Sequence, residues 1–205
     1  MEKVNTTVKI YAQVISFLTI WAGVILISGI FNTVDLWQTI ALIPQAITIY
    51  AIVCVLFIKW IWRWELLQGW LIKVPDLQGT WRGELRSDWI NPETNSGIAP
   101  IPIIVVIKQT FSSIKCTLMT QESTSYSTAA EIVKGGDGDL HLTYNYTNRP
   151  RVTLRDRSQI HDGAAILRLI KKPEQMLEGE YWTSRKTRGE ITLKFSSHKL
   201  EERFT

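Results

Sequence analysis

The sequence predicts a membrane-anchored all-β protein: a two-helix transmembrane hairpin followed by a small eight-stranded antiparallel β-barrel. Three observations carry this reading. Residues 10–31 and 36–58 form two uncharged apolar runs, each longer than the ~20 residues that cross a bilayer core. Residues 59–70 read KWIWRWELLQGW, with cations threaded among tryptophans. From Pro75 onward, short β-branched and aromatic stretches alternate in polarity between Gly, Asn, Asp or Pro punctuation, with no helix-length segment among them. The expected boundaries are 1–74 for the hairpin with its tryptophan belt and 75–205 for a cytoplasmic barrel.

The first apolar run is too long for the core of a cleaved signal peptide, and a second run of similar length follows at once. The short connection FNTVDL makes the two spans antiparallel. Lys3 and Lys9 precede the first span, Lys59, Arg63 and Lys73 follow the second, and the connection offers only Asp35. Cations are retained on the cytoplasmic side, so the expectation is a multi-pass protein with both termini cytoplasmic. Trp60, Trp62 and Trp64 then fall at the membrane interface, where an apolar ring with one N–H donor is favoured. Lys59 and Arg63 can snorkel to the same layer and meet anionic lipid, and Trp37 marks the opposite one. Ala12, Ser16, Thr19 and Gly23 form a small-residue face on the first span. Pro44 and Gln45 are expected near the middle of the second, where an amide is costly against lipid. Pairing within the hairpin, pairing between copies and lining of a pore all satisfy that pattern.

Eight strands are expected near 79–87, 100–109, 113–121, 124–134, 139–147, 164–171, 177–186 and 189–196. Closure into an up-and-down barrel removes exposed edges; a two-sheet sandwich is the alternative. Alternation puts Leu77, Trp81 and Leu85 on one face and Arg82, Glu84 and Arg86 on the other. Ile114, Cys116, Leu118 and Thr120 oppose Ser113, Lys115, Thr117 and Met119. Leu140, Leu142, Tyr144 and Tyr146 oppose His141, Thr143 and Asn145. Tyr181, Thr183 and Arg185 face inward if Leu177 and Gly179 do. A packing core has no need of Arg185, whereas a solvated rim would accommodate it; both readings stand.

No catalytic residue and no metal site is indicated. His141, His161 and His198 occur without H-x-x-x-H, H-E-x-x-H or C-x-x-C spacing, and no G-x-S-x-G elbow appears. GGDGD at 135–139 lacks the remaining ligands of a calcium loop and reads as a hairpin turn. His161-Asp162-Gly163 reads as a turn or cap rather than a catalytic pair. Cys54 within a span and Cys116 within a strand cannot meet, which suits a reducing cytoplasm. The net charge is +4, and all but two of the 23 Lys and Arg lie from Lys59 onward, which suits an acidic membrane or an anionic ligand. NRPRVTLRDRSQ contributes Arg149, Arg151, Arg155 and Arg157, able to attract phosphates if it lies beside a barrel mouth. No motif for reading a nucleic-acid polymer is present.

The short double span followed by LQGTWRGEL, IKQTF, MTQESTSYS, LTYNY, IHDGAAIL and LEGEYWTSRKTRGEITL resembles the two-transmembrane β-barrel effectors of bacterial CBASS anti-phage systems across essentially the whole chain. The resemblance implies a barrel that binds a cyclic oligonucleotide, most simply a cyclic dinucleotide, made by a cognate CD-NTase. It further implies homo-oligomerisation, disruption of the bacterial inner membrane and abortive infection, with no cofactor. For such a ligand Trp81, Tyr144, Tyr146 and Tyr181 offer aromatic faces. Gln109, Thr120, Ser123, Ser125, Ser127 and Thr183 offer hydrogen bonds, and Arg185 a phosphate-binding charge. Outward Ile104, Val106 and Trp182 suggest an apolar patch for self-association or membrane contact. Alternatives are an anchored barrel holding a lipid or other apolar ligand, and a scaffold without a small-molecule site.

Overall fold

The computed structural model describes residues 6–28, 36–67, 72, 74–91, 95–171 and 173–204, and the side chains of residues 6–15, Leu36 and Asn91 stand outside that description. Lys3, Lys73, Asp35 and the connecting turn therefore lie outside the described residues, as do the side chains of Lys9 and Ala12. The chain divides into two compact units, Met1–Ile72 and Lys73–Thr205.

The first unit is helical: α1 Thr6–Ile27, α2 Leu36–Ala41 and α3 Ile43–Lys59. The stretch Trp37–Lys59 is long and apolar enough to cross a membrane, and its surface is almost wholly uncovered. Pro44 was expected mid-helix. Instead the helix is interrupted at Leu42 and Pro44 falls in the first turn of α3, where a missing N–H costs nothing. The Thr48 hydroxyl donates to the Pro44 carbonyl at 2.9 Å. Phe17 of α1 meets Tyr50 of α3 edge-on, 5.7 Å between centroids. After α3 a 3₁₀ turn at Ile61–Arg63 splits the tryptophans. Trp60 and Trp64 are exposed, whereas Trp62 is fully buried with the Arg63 guanidinium 4.9 Å from its ring centre. The interfacial role expected of Trp62 thus falls on a side chain without free surface, while Trp60 and Trp64 keep theirs.

The second unit is a closed barrel of eight antiparallel strands, which settles the choice against a sandwich. Its strands are β1 Gly79–Ser87, β4 Ile101–Gln109, β5 Ile114–Met119, β6 Ser123–Lys134, β7 Leu140–Pro150, β8 His161–Ile170, β9 Met176–Thr183 and β10 Arg188–Ser197. They run β1-β10-β9-β8-β7-β6-β5-β4, with β4 returning to β1. A two-strand hairpin, β2 Ile90–Asn91 with β3 Ser96–Gly97, hangs from the β1–β4 connection.

The core is the inward parity of each strand, as alternation requires: Trp81; Ile103, Val105 and Ile107; Cys116 and Leu118; Leu142, Tyr144 and Tyr146; Ala165 and Leu167; Leu177 and Tyr181; Ile191 and Leu193. β6 is the exception. A register shift between Ser127 and Ala129 inserts an extra residue and flips the parity, so that Ala130 and Ile132 pack on the core. GGDGD is the β6–β7 turn, closed by Gly135 N–H to Asp139 O at 2.8 Å. Both cysteines are free, and burial pushes the Cys116 thiol up to about 12.

Candidate functional site

The registers define two barrel ends. At the entry end the chain arrives through residues 75–78 and leaves after Ser197, beside Gln109, Ile114, Lys134, Leu140, Ile170 and Met176. The opposite loop end carries the connections β5–β6, β7–β8 and β9–β10, together with the β1–β4 connection.

Of the expected ligand residues, Thr120, Ser123, Ser125, Tyr146, Tyr181, Thr183 and Arg185 converge on the loop end. Thr120 and Ser123 form the β5–β6 turn, their hydroxyls 3.2 Å apart. Ser125 donates to Asn148 Oδ1 at 2.9 Å, both side chains buried. The Thr183 hydroxyl lies 2.7 Å from that of Thr187. Gly163, opposite Thr183 in register, leaves room for the Tyr146 ring, which any Cβ there would meet. Arg185 was read as inward or at the rim; the strand ends at Thr183 and Arg185 stands exposed in the turn. Its Nη1 donates to Ser158 Oγ at 3.0 Å.

Loop 151–160 is tied on both sides of this end. Arg151 N–H donates to the Glu122 carbonyl at 2.9 Å, and Arg157 pairs with the Glu122 carboxylate at 2.6 Å. On the far side Ser158 receives Arg185. His161 and Asp162 lie in β8 beneath the loop, Asp162 accepting the Thr147 hydroxyl at 2.7 Å. That bond makes Asp162 a structural brace, and His161-Asp162-Gly163, expected as a turn or cap, are the first residues of a strand. Arg149 and Arg151 are exposed and make no ion pair among the described residues, so the loop end presents a surplus of guanidinium groups.

The remaining candidates lie elsewhere. Trp81 is fully buried, its Nε1–H donating to Leu77 O at 2.9 Å and its ring 5.4 Å from Phe195. Gln109 is a clamp at the entry end: Oε1 accepts Leu77 N–H at 2.8 Å and Nε2 donates to Pro75 O at 2.9 Å. The Ser127 hydroxyl accepts Cys116 N–H at 2.9 Å. Tyr144 is buried at mid-barrel, and its hydroxyl has no hydrogen-bond partner among the described residues.

Burial holds all three phenols above the ordinary tyrosine range: Tyr144 by desolvation with Cys116 and Tyr146 adding to it, Tyr146 by desolvation and Tyr181, and Tyr181 by desolvation against a lowering hydrogen bond to Ser87. They are neutral phenols at physiological pH. Because the Tyr144 hydroxyl is unpaired, Tyr144→Phe is expected to leave stability unchanged or to raise it by about 1 kcal/mol, read by thermal unfolding.

Asn148 was missed. It continues the inward series 142, 144, 146 on a strand that runs three residues past its expected end, so the signal was the alternation itself. Asp88, below the loop end, accepts Arg188 N–H and Nε–H, each at 3.0 Å. The backbone N–H is the chief cause of its lowered pKa. A carboxylate held below its ordinary value of 3.8 stabilises the fold above that pH and loses the effect as pH falls through the folded value. Asp137 and Glu174 shift in the same direction. The barrel is therefore expected to lose stability as pH falls below about 4, and Asp88→Asn to flatten part of that loss in unfolding curves taken across the range.

A recess of about 490 Å³ lies on the outer face of β8–β10, between Trp182, Ile166 and Arg168. Its charge disfavours an anion: Glu178, Glu180 and Glu190 line it, and Arg168 is already paired with Glu178 and Asp139. The loop end is the better electrostatic host for phosphates. No group of three or more metal-ligating residues occurs among the described residues.

The family described as "Cap15, cyclic dinucleotide receptor domain" matches residues 72–195. The CD-NTase-associated protein 15 of Staphylococcus schleiferi is 30% identical over 197 residues, 94% of this chain and 97% of that protein. The CD-NTase-associated protein 15 of Escherichia albertii is 27% identical over 147 residues, 70% of this chain and 71% of its own. A receptor-domain match across nearly all of the barrel, with a relative matched over 97% of its length at this identity, places the family beyond the fold alone: the chain belongs to the Cap15 family of CBASS effectors, built on a cyclic dinucleotide receptor domain.

Proposed function

We propose that this chain is a membrane-anchored anti-phage effector whose barrel takes up a cyclic dinucleotide at its loop end, then oligomerises and breaches the bacterial inner membrane. The observation that carries the reading is the receptor-domain match over residues 72–195, joined to the one barrel end where hydroxyls, phenols and unpaired guanidinium groups meet. Residues 1–74 serve as a two-span anchor with both termini cytoplasmic, and residues 75–205 as the sensor of a messenger made by a cognate CD-NTase. Arg185, Arg149 and Arg151 would face the phosphates, while Thr183, Thr120 and Ser123 would meet base edges. Tyr146 and Tyr181 would line the floor.

No bond is made or broken in this scheme; the protein acts as a receptor rather than an enzyme. A messenger shifts the population toward an oligomer by as much as its affinity for that form exceeds its affinity for the resting one. Clustered spans carrying Gln45 then destabilise the bilayer, and the cell dies before phage mature.

The test is a titration of the full chain in detergent micelles with cyclic di-AMP, cyclic GMP-AMP and cyclic trinucleotides at low and high salt. Binding of one of them, weakened by salt and roughly tenfold by Arg185→Ala, is the expected result. Unchanged affinity in a folded Arg185→Ala protein removes that residue from the phosphate site. No binding across the panel removes the receptor reading for these messengers.

A further inference from the structure

Most outward positions on the barrel are charged or polar: Arg82, Glu84 and Arg86 on β1, Arg168 on β8, Glu178 and Glu180 on β9, Lys194 on β10. β4 and β5 break this pattern. Ile104, Val106 and Met119 point outward yet are 1%, 3% and 5% exposed, because the chain after β10 crosses them and packs Leu200 and Phe204 on top. The single outward patch expected of Ile104, Val106 and Trp182 is not what the structure shows: Ile104 and Val106 are covered, while Trp182 stands exposed on β9 outside their cluster, a difference sequence alternation had no means of showing.

The covering strap, residues 198–204, is fastened at several points among the described residues. It leaves β10 at a bend at His198 and Lys199, where the His198 ring meets Phe195 at 4.9 Å. The Thr80 hydroxyl donates to Lys199 O at 2.6 Å and accepts Glu201 N–H at 3.2 Å. Arg82 Nη2 reaches both Glu201 carboxylate oxygens, at 2.8 and 2.7 Å. The apolar seal is a cluster separate from the barrel core. The strap also lies beyond the matched receptor domain, which ends at residue 195.

We propose that the outer face of β4 and β5 is a contact surface between copies, and that its occupant in the assembled state is the strap of a second copy. The inference rests on the reading that the active form is an oligomer. Apart from the His198 ring, which meets the core-packed Phe195 at the bend, these strap contacts are made to outward groups, so a strap from a neighbour can make the same set: Leu200 and Phe204 on Ile104, Val106 and Met119, Glu201 on Arg82, the backbone on Thr80. Exchange replaces each contact in cis by its equal in trans. The balance is then set mainly by the effective concentration of copies, which confinement to a bilayer raises. Seven residues extend up to about 25 Å, enough to cross to an adjacent barrel. An exchange of this kind needs no exposed apolar surface in the resting copy, which keeps the unassembled barrel soluble on that side.

Charge reversal tests this on the full chain in micelles. Arg82→Glu and Glu201→Arg each place like charges at the strap in cis. Mixed together, the strap of each finds its opposite charge on the barrel of the other. Differently labelled copies, followed by energy transfer, are expected to associate roughly tenfold more tightly in the mixture than in either variant alone. The double variant Arg82→Glu/Glu201→Arg restores the pair in cis and is expected to match the wild type, which checks folding. A mixture that associates no better than its components overturns the proposal. Wild-type protein with saturating cyclic di-AMP or cyclic GMP-AMP is run beside it. Messenger-driven assembly without a gain in the mixture rejects the exchange alone, whereas a gain in the mixture without messenger-driven assembly supports the exchange and rejects the activation reading.

Discussion

Trp81→Ala is expected to cost the barrel about 3–5 kcal/mol, the range for removing a fully enclosed large aromatic side chain. Trp81 has no solvent-exposed surface, stands edge-on to Phe195 at 5.4 Å and spends its one N–H on the Leu77 carbonyl at 2.9 Å. Truncation leaves a cavity next to Val105, its register partner on β4, and frees a buried carbonyl at the point where the chain enters the barrel. The melting temperature should fall by roughly 10–20 °C for a unit of this size, as read by circular dichroism. Any loss of messenger binding in this variant should track the unfolded fraction. Weaker binding by a fully folded Trp81→Ala protein would instead restore the ring-stacking role that its residue type suggested.

Gln109→Met is expected to cost about 2–4 kcal/mol while leaving messenger affinity unchanged. The substitution roughly keeps volume and removes two hydrogen bonds, from Leu77 N–H and to Pro75 O. Both partners are buried, and each buried group left unsatisfied costs about 1–3 kcal/mol. Denaturant unfolding gives the first quantity and titration with cyclic di-AMP or cyclic GMP-AMP the second. A stable Gln109→Met protein with weakened binding would return Gln109 to the ligand.

The contrast between these two residues and the loop end shows what the sequence could carry. Strand positions were legible because a half-buried sheet imposes a period of two and its turns demand Gly, Asp, Asn or Pro. Inward Trp81, Leu142 and Tyr144 follow from that alone. What a buried polar group does was not legible, since a glutamine that clamps its own backbone and one that reads a base edge have the same spacing. The bulge at Ser127 reverses the parity of β6 halfway along and is set by how β6 meets β7, a long-range pairing. Arg185 left the inward series because β9 ends two residues earlier, in a turn where Lys186 takes a φ of 63°. The concealment of Ile104 and Val106 depends on a segment almost a hundred residues further along the chain.

In the proposed function the messenger sits at the loop end rather than inside the barrel or in the outer recess by Trp182. Hydrogen exchange on the full chain in micelles, with and without the cyclic dinucleotide that binds in the panel, tests it most directly. Slowed exchange confined to residues 120–123, 148–163 and 183–188 is expected. Protection centred on residues 75–81 and 107–116 at the entry end, or on the β9–β10 ladder facing Glu180 and Glu190, would contradict it.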